Sequence, residues 1–472
     1  MKIAIIQKIP YEFIGVMCIS SVIKKAGHDC EIFIADWEGK RLFENIRLYD
    51  PDIISFSLLS PDYKWFKDCV SGARRYKLGM PIIVGGPHAT FFPDLIEEND
   101  VDYVFRGEAE DSLEEFLRLY GDRGKIKSIK GIWSKTDKGK VFKNEMHQLR
   151  QDFSTLPLPD RNLYYDKYSA LRVRGVKHFS TSRGCPYQCA FCYNKALQEL
   201  YNGKGVYIRH FNQERIIHEI QETQRQHVLK TVSFSDDLFC QNADWLMEFL
   251  KIYKKEIRLP FKCCVRADMM TEELAFTLKD AGVCSVAFGV ESGNEKIRMV
   301  ILNKRIKDEE IIRCSSLLHK HGIRFTTFNI FATPTETVED AFKTIELNIR
   351  IKTDFPWASI LSPYPMTQIA HLVEKMNLLP EKFEFTKLPS SYFHKSLLGL
   401  PNKYILENTQ KIFYFAVRYP WTFPLFKKLV RVKFPKFFNI LFYMSSILRL
   451  SQERNVSLYE SARVYWNARG SY

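Results

Sequence analysis

Cys185, Cys189 and Cys192 fall within the stretch RGCPYQCAFCYN, a C-x3-C-x2-C pattern flanked by Gly184, Pro186, Tyr187 and Gln188, which is the composition of a bend. Thiolates ligate metals, and three on one bend can wrap a metal centre instead of packing as separate small core residues. A structural zinc site wants four ligands, normally as two separated pairs, and the chain has no second C-x2-C pair. Cys263 and Cys264 are adjacent, so on a strand they point to opposite faces and make poor joint ligands. An iron–sulfur cluster held by only three cysteines keeps one iron open to bind and activate a cofactor. Polar residues cluster in four further short segments. These are FSDDLF with Ser235, Asp236 and Asp237, CVRAD with Arg266, FGVESG with Glu291 and Ser292, and LNKR with Lys304.

The elements that must position these residues can be read from the pattern. Residues 1–120 alternate short β-branched runs (KIAIIQ, CEIFIAD, DIISFSL, PIIVGG, DYVFRGE) with amphipathic stretches such as IGVMCISSVIKKAG, which stops at Gly27. This is the βαβ signature of a parallel sheet, flavodoxin-like in its five units. GIWSKTDKGKVFKN reads as a hairpin turning at DKG. STLPLPDRNLYYDKY is a proline-rich link without helical period. We therefore expect a first domain over 1–150 and a linker over 151–176. A second alternating series (VKHFSTS, TVSFSDD, FKCCVRAD, CSVAFGVES, RFTTFNIFA, PWASILSPY) then gives six β/α units, a partial barrel over 177–367. KDEEIIRCSSLLHKHG between two of them places Ile311, Ile312, Cys314 and Leu318 on one helical stripe. Barrels gather their chemistry at the carboxyl ends of strands, and the cysteine bend directly follows the first strand of this series. Residues 368–472 read as a helical region interrupted by Pro420, Pro424 and Pro435.

A C-x3-C-x2-C bend after the first strand of a partial barrel resembles the radical S-adenosylmethionine (SAM) enzymes. The resemblance implies that Cys185, Cys189 and Cys192 hold a [4Fe–4S] cluster with the amino and carboxylate groups of SAM on the fourth iron. It implies that Tyr193 packs near the adenine and that Ser235, Asp236 and Asp237 reach the methionine amino group. Read from its position alone, one of the two carboxylates is expected to cap the next helix. Arg266 would suit the SAM carboxylate, and Glu291 with Ser292 the ribose hydroxyls. A lysine recurs in related enzymes at the place of Lys304. FATPTET has Ala332 and Thr335 where the family has small or flexible residues, and PYPMTQ has Met366 where glycine is commoner.

In the first domain three loops, SFSLLSPDY, VGGPHAT and VFRGEAEDSLEEF, resemble those of cobalamin-binding domains fused ahead of radical SAM enzymes. Ser57, Leu58, Ser60, Gly85, Gly86 and His88 are the candidate cobalamin contacts. Gly85 and Gly86 allow close backbone approach, and the serines offer short donors. Gly107 and Glu108 read as a structural turn with a helix start. No D-x-H-x-x-G motif supplies a histidine to cobalt, and neither His28 nor His88 has that context, so cobalamin is expected with its base tail off the metal. The resemblance as a whole, over roughly residues 1–370, implies a cobalamin-dependent radical SAM enzyme. As a methyltransferase it would use one SAM to methylate the cobalamin and another to make a 5′-deoxyadenosyl radical. Radical cyclisation or rearrangement is the alternative. A transfer-RNA methylthiotransferase needs a second cluster, which the scattered Cys18, Cys30 and Cys69 do not resemble, and a non-catalytic cobalamin sensor has no use for the cysteine bend.

Composition bounds the setting. With 472 residues the chain exceeds one ordinary core, and 46% hydrophobic with 26% charged residues is ordinary for a globular protein. Eleven cysteines behind an opening MKIAIIQKIP without a signal-peptide core lead us to expect a reducing cytoplasm. The formal charge is +14, and residues 408–452 hold eight Lys or Arg with no Asp or Glu. That segment interleaves its charges with Phe, Tyr and Trp, and its longest apolar run, 437–448, falls short of the roughly 20 residues a spanning helix needs. It suits the anionic face of a membrane, or equally a basic cap packed on the barrel, more than nucleic acid. The partners expected are a small-molecule or lipid-linked substrate and an electron donor such as flavodoxin or ferredoxin.

Overall fold

The computed structural model describes residues 1–467 apart from 77, 137, 382, 385–387, 389–390, 392, 394, 455 and 456. Two parallel sheets organise it. The first contains β1 (Lys2–Gln7), β2 (Asp29–Ile34), β3 (Ile53–Ser57), β4 (Ile82–Gly85), β5 (Tyr103–Phe105), β6 (Ile132–Lys135) and β7 (Val141–Lys143) in the order 2-1-3-4-5-6-7. The first five strands are parallel and the last two antiparallel, as the hairpin reading requires; Asp137 of its DKG turn lies outside the described residues. The 2-1-3-4-5 order is the flavodoxin-like one, and its order reverses between β1 and β3, where the crevice that such sheets offer a ligand must open.

β8 (Val176–Phe179) starts the second sheet, and a two-residue pair, β9 (Ser182–Arg183) with β10 (Arg209–His210), lies outside it. β11 (Thr231–Phe234), β12 (Phe261–Cys264), β13 (Val283–Glu291), β14 (Arg324–Phe331) and β15 (Phe355–Ile360) follow in unbroken sequential order, all parallel. This is the expected six-unit partial barrel. On the helix Asp308–Lys320 the stripe is Ile311, Cys314, Ser315 and Leu318, with Ile312 only partly buried.

Residues 151–176 are more than a link. Short helices at Asn162–Tyr165 and Ser169–Arg172 bury Tyr164 and Tyr165 completely in the core of the first sheet. The Tyr164 hydroxyl donates to Gln7 (2.5 Å) and the Tyr165 hydroxyl to Glu12 (2.9 Å). Arg161 donates to the His178 carbonyl and to Glu219, both at 2.8 Å. The segment is therefore a bracket bonded to both sheets, and its proline content had masked the tyrosine pair.

Beyond β15 the chain is helical, with Gln368–Lys375, Lys403–Arg418, Phe423–Leu429, Pro435–Arg454 and Leu458–Asn467. Pro420, Pro424 and Pro435 stand in the first turn of their elements, where a missing N–H costs nothing, so they start helices instead of breaking them. Among the described residues no helix is long and apolar enough to cross a membrane.

The loop after β14 carries strain. Ala332 and Thr335 have φ of 59° and 67°, and Met366 in the loop after β15 has 65°, a region that costs an L-residue roughly 1–2 kcal/mol and glycine almost nothing. These are the three places where small or flexible residues, or at Met366 glycine, were expected, so the side chains are accommodated there at a cost. Glu336 in the loop after β14 is 4% exposed; it accepts from the Thr333 N–H (2.9 Å) with one oxygen and has no partner for the other. Burial pushes its carboxyl up to about 8.

Two predictions follow from this loop. Thr335 is exposed and β-branched, so Thr335→Gly is expected to raise the unfolding free energy of the barrel by about 1 kcal/mol, read as a higher denaturant midpoint at unchanged slope. For Glu336 the native state keeps a proton that the unfolded chain has released, so its contribution is complete below the ordinary carboxylate pKa and is lost as pH rises to about 8. Glu336→Gln is expected to flatten that slope in urea titrations run across this range; a slope equal to wild type would refute the assignment.

Candidate active site at the seam between the sheets

The cysteine bend occupies residues 184–193, between β9 and the helix Asn194–Leu200. Gly184 enters it at φ +89°, and a Cβ there would press on the Tyr207 carbonyl at 2.7 Å. The bend is tied down along its length. Gln198 donates to the Cys185 carbonyl (2.6 Å), Asn303 to the Gln188 carbonyl (2.7 Å), and Ala190 both donates to Leu302 and accepts from Ile369 (2.8 Å each). Cys192 N–H closes a turn onto the Cys189 carbonyl at 3.0 Å. All three thiols are free and half-buried. Burial pushes Cys185 up to about 11 and raises Cys189, so these two thiols give up their protons to a metal more readily than to solvent.

Among the described residues no three His, Cys, Asp or Glu side chains converge as a single metal ion requires. Ligands to a cubane bind separate irons and have no need to converge, so three thiols spread over one immobilised bend fit a cluster and not a mononuclear ion. Asn194, which the sequence reading passed over, donates to Cys192 Sγ (3.5 Å) and accepts from the Tyr207 hydroxyl (2.8 Å). Such a bond to a ligating sulfur is a known lever on cluster potential.

The strand-end residues divide into those that face open space and those that brace. Ser235 and Asp237 are exposed; Ser235 Oγ lies 2.9 Å from His178 Nδ1. Asp236 is buried, and its Oδ1 accepts from Thr181 N (2.8 Å), Thr181 Oγ1 (2.9 Å) and Ser182 Oγ (2.6 Å). Burial lifts it to about 6. It clasps the turn from β8 into the cysteine bend, and neither aspartate caps a helix; Asn242 caps the next one. Arg266 gives its Nε and Nη2 to Asp268 (3.0 Å each) and stacks 3.4 Å over the Tyr187 ring of the bend. Ser292 is fully buried, with its hydroxyl on Asn294 N (3.2 Å) and its carbonyl on Arg298 (2.6 Å); it shapes a turn. Arg298, wholly buried and also bonded to Ile306 O (2.7 Å) and Asp308, pins the loop that carries Lys304.

Lys304 gains a physical role here. Its Nζ donates to Glu291 Oε1 at 2.7 Å, both side chains being almost fully buried. Glu291 sits at φ +63°, and a Cβ on Gly289 would collide with both the carboxylate and the ammonium. The pair is therefore held in one geometry by a glycine two residues upstream.

Across the seam lies a cavity of about 560 Å³ at the β1/β3 reversal. Ile3, Ile5, Ile83 and Phe105 form its apolar floor, and Ser57, Gly85, Gly86, Gly107 and Glu108 its rim. From the barrel side His178, Ser180, Arg183 and Ser235 face it. Leu58, Ser60 and His88 do not line it. Leu58 is buried in the core, and its backbone bonds to Gly85 O (2.9 Å) and His88 N (3.1 Å), an approach so close that Gly86, at φ +93°, leaves no room for a side chain. His88 is buried between Tyr63 and Phe92, lowered to about 4 by burial, with Nδ1 3.1 Å from Ser60 Oγ. Ser60 in turn meets the Tyr193 hydroxyl at 3.4 Å, and Tyr193 stacks on Phe91 at 5.2 Å. Tyr193 thus bridges the cysteine bend to the first domain, with Tyr364 5.7 Å away.

Glu108 is no mere turn residue. Arg183, two residues before Cys185, donates to Glu108 (2.8 Å) and Glu110 (2.5 Å), and Arg209 also pairs with Glu108. Gly107, at φ +71°, lets the loop lie against Tyr201, whose hydroxyl accepts from Glu108 N at 2.7 Å. The crevice joins an apolar floor and glycine rims to a ring of polar side chains from both sheets, a lining that fits a large macrocycle bearing polar substituents.

Comparison with known proteins decides the family. Residues 179–347 match the radical SAM superfamily, and residues 8–117 match the B12 binding domain. The chain belongs to the radical SAM enzymes that carry a cobalamin-binding domain. Its cofactors are accordingly a [4Fe–4S] cluster, SAM and cobalamin. An uncharacterized methyltransferase of Pyrococcus horikoshii is 28% identical over 78% of this chain and 79% of its own. The anaerobic magnesium-protoporphyrin IX monomethyl ester cyclase of Rubrivivax gelatinosus is 22% identical over 78% and 67%, and the hopanoid C-3 methylase of Methylococcus capsulatus 24% over 85% and 76%. The solved cobalamin-dependent SAM radical enzyme OxsB superposes with a TM-score of 0.68 at 15% identity, covering 99% of this chain and 79% of that one, a likeness of fold.

Gly289→Ala is expected to break the Glu291–Lys304 geometry and lower SAM affinity at least about tenfold, a loss of about 1.4 kcal/mol, with iron content and cluster absorbance unchanged. Equal SAM affinity by equilibrium dialysis would remove Glu291 from the SAM site.

Proposed function

We propose that the protein is a methyltransferase that acts on an unactivated centre of a hydrophobic, lipid-linked or secondary-metabolite substrate. The observation that carries this reading is the shared seam: the cysteine bend packs on the first domain through Tyr193, Phe91 and Ser60, and Arg183, two residues before Cys185, lines the cobalamin-type crevice. When bound, the cluster with SAM supplies a 5′-deoxyadenosyl radical and the cobalamin supplies a transferable methyl group. Cys185, Cys189 and Cys192 would hold the cluster, and Glu291, Asp237 and Arg266 would meet polar groups of SAM. Ser57, Gly85 and Gly86 would border the cobalamin. Apolar walls keep water from a radical and favour a hydrophobic substrate. We place the enzyme in the cytoplasm with flavodoxin or ferredoxin as electron donor.

A second reading is radical cyclisation, favoured by the Rubrivivax relative's activity; it needs the same two cofactor sites. Anaerobic protein loaded with iron, sulfide and hydroxocobalamin, then given dithionite and methyl-labelled SAM, separates the two. Methyl transfer predicts 5′-deoxyadenosine together with label on the cobalamin, with the 5′-deoxyadenosine reduced to background in Cys185→Ala. 5′-Deoxyadenosine without labelled cobalamin would favour cyclisation, and neither product from fully loaded protein would overturn both.

A further inference from the structure

The C-terminal helices use one face to cover the barrel and leave the other with a composition that the cofactor sites do not explain. Ile412, Phe413, Phe423, Val430 and Phe438 are buried. Trp421 (80%), Leu425 (64%), Val432 (50%), Phe434 (55%), Ile440 (57%) and Met444 (50%) are exposed. Trp421, Leu425, Lys428 and Val432 are spaced four, three and four residues apart along the helix Phe423–Leu429 and its flanking turns. Lys436, Ile440 and Met444 repeat every four residues on the helix Pro435–Arg454. The joining residues 431–436 are all exposed, so apolar and basic side chains alternate along one continuous outer line. Isolated exposed hydrophobics are ordinary, whereas such a run marks an interaction surface.

Charge narrows the partner. Lys427 is paired with Glu346 (2.8 Å) and Arg431 lies 3.9 Å from Glu339. Among the described residues no carboxylate lies within ion-pair distance of Lys428, Lys433 or Lys436, and Lys433 rests over the Tyr404 ring. A second copy of this face would bring like charges together. Single-stranded nucleic acid needs a succession of aromatic platforms for its bases, whereas only Trp421 and Phe434 of this row are aromatic and Leu425, Val432, Ile440 and Met444 between and beyond them are aliphatic. Aliphatic side chains that reach the acyl boundary, a tryptophan at headgroup depth and lysines beside phosphates are what a bilayer interface takes.

We propose that the face from Trp421 to Met444 docks the protein on an anionic phospholipid bilayer. This rests on that face alone and holds whichever reaction the cofactors perform. The full-length, cofactor-loaded protein is floated with vesicles of phosphatidylcholine, or of phosphatidylcholine mixed with phosphatidylglycerol. Binding is expected to the mixed vesicles and to weaken with salt. Lys428→Gln, Lys433→Gln and Lys436→Gln together are expected to weaken it roughly 100-fold. Trp421→Ser with Leu425→Ser and Phe434→Ser is expected to abolish it while elution volume and cluster absorbance stay as in wild type. Trp421→Phe should still bind but lose the blue shift of tryptophan emission. No binding to mixed vesicles, equal binding to both kinds, or full binding by the serine variant overturns the proposal. So does preferential capture of single-stranded RNA through the same lysines, or a self-association that the serine variant abolishes.

Discussion

Everything at the seam depends on a small buried ion network. Arg183 and Arg209 belong to the two-residue strands around the cysteine bend, Glu108 to the loop after β5 of the other sheet and Glu110 to the first turn of the helix Glu110–Leu119 that follows it. Glu110 is held below the ordinary carboxylate range despite burial, because Arg183 stands beside it. Networks of this kind gain little net stability over apolar packing, but removing one member strands a buried charge at a cost of about 3–5 kcal/mol. The network therefore works as a register device. It fixes how the two sheets face each other, and so the distance across which anything passed from one cofactor site to the other must travel.

The same logic recurs at each strand end of the barrel. Asp236, Arg266 and Arg298 spend most of their hydrogen-bonding capacity on Thr181 and Ser182, Asp268 and Tyr187, and the 292–308 loop. Exposed Asp237 is the neighbour that these braces leave free to face solvent, and the buried Glu291–Lys304 pair is held beside them. A site preorganised in this way has its rigidity built before any ligand arrives, which is the condition for positioning a reactive radical. The glycines at 184 and 289 belong to the same construction, since each leaves a gap that a methyl group would close.

Much of the fold was legible because periodicity encodes it. All thirteen strands of the two main sheets fall on alternating or apolar runs, and the parallel order of eleven of them follows from the helices between them. The two-residue strands β9 and β10 were not legible, being too short for any pattern. The cysteine bend was readable from spacing. Side-chain roles at the strand ends were not, because position along a strand says that a residue reaches the catalytic end but not whether it turns outward or brackets a loop. Ser292 and His88 turned inward, whereas Glu108, Asn194 and Arg298 entered the site through bonds to residues distant in sequence, which a single chain read locally does not reveal. The tyrosines of 151–176 hid behind prolines for the same reason.

An open six-stranded sheet leaves two edges that must be covered. β8 is covered by the 151–176 bracket, where Arg161 takes the His178 carbonyl. β15 is covered by the C-terminal helices: Gln410 donates to the Ala358 carbonyl at 2.8 Å, Arg449 stacks 3.8 Å over Trp357, and Glu453 reaches Lys262 inside the sheet at 3.4 Å. This covering consumes one apolar stripe of each helix and explains why the region had to be helical and aromatic. It does not explain a second apolar row on the opposite side, since a helix that only caps a barrel is expected to be polar where it meets water. Closure of the barrel therefore accounts for the inner face of the C-terminal region, Lys427 and Arg449 included, and leaves the outer apolar row with Lys428 and Lys436 to the surface proposed above.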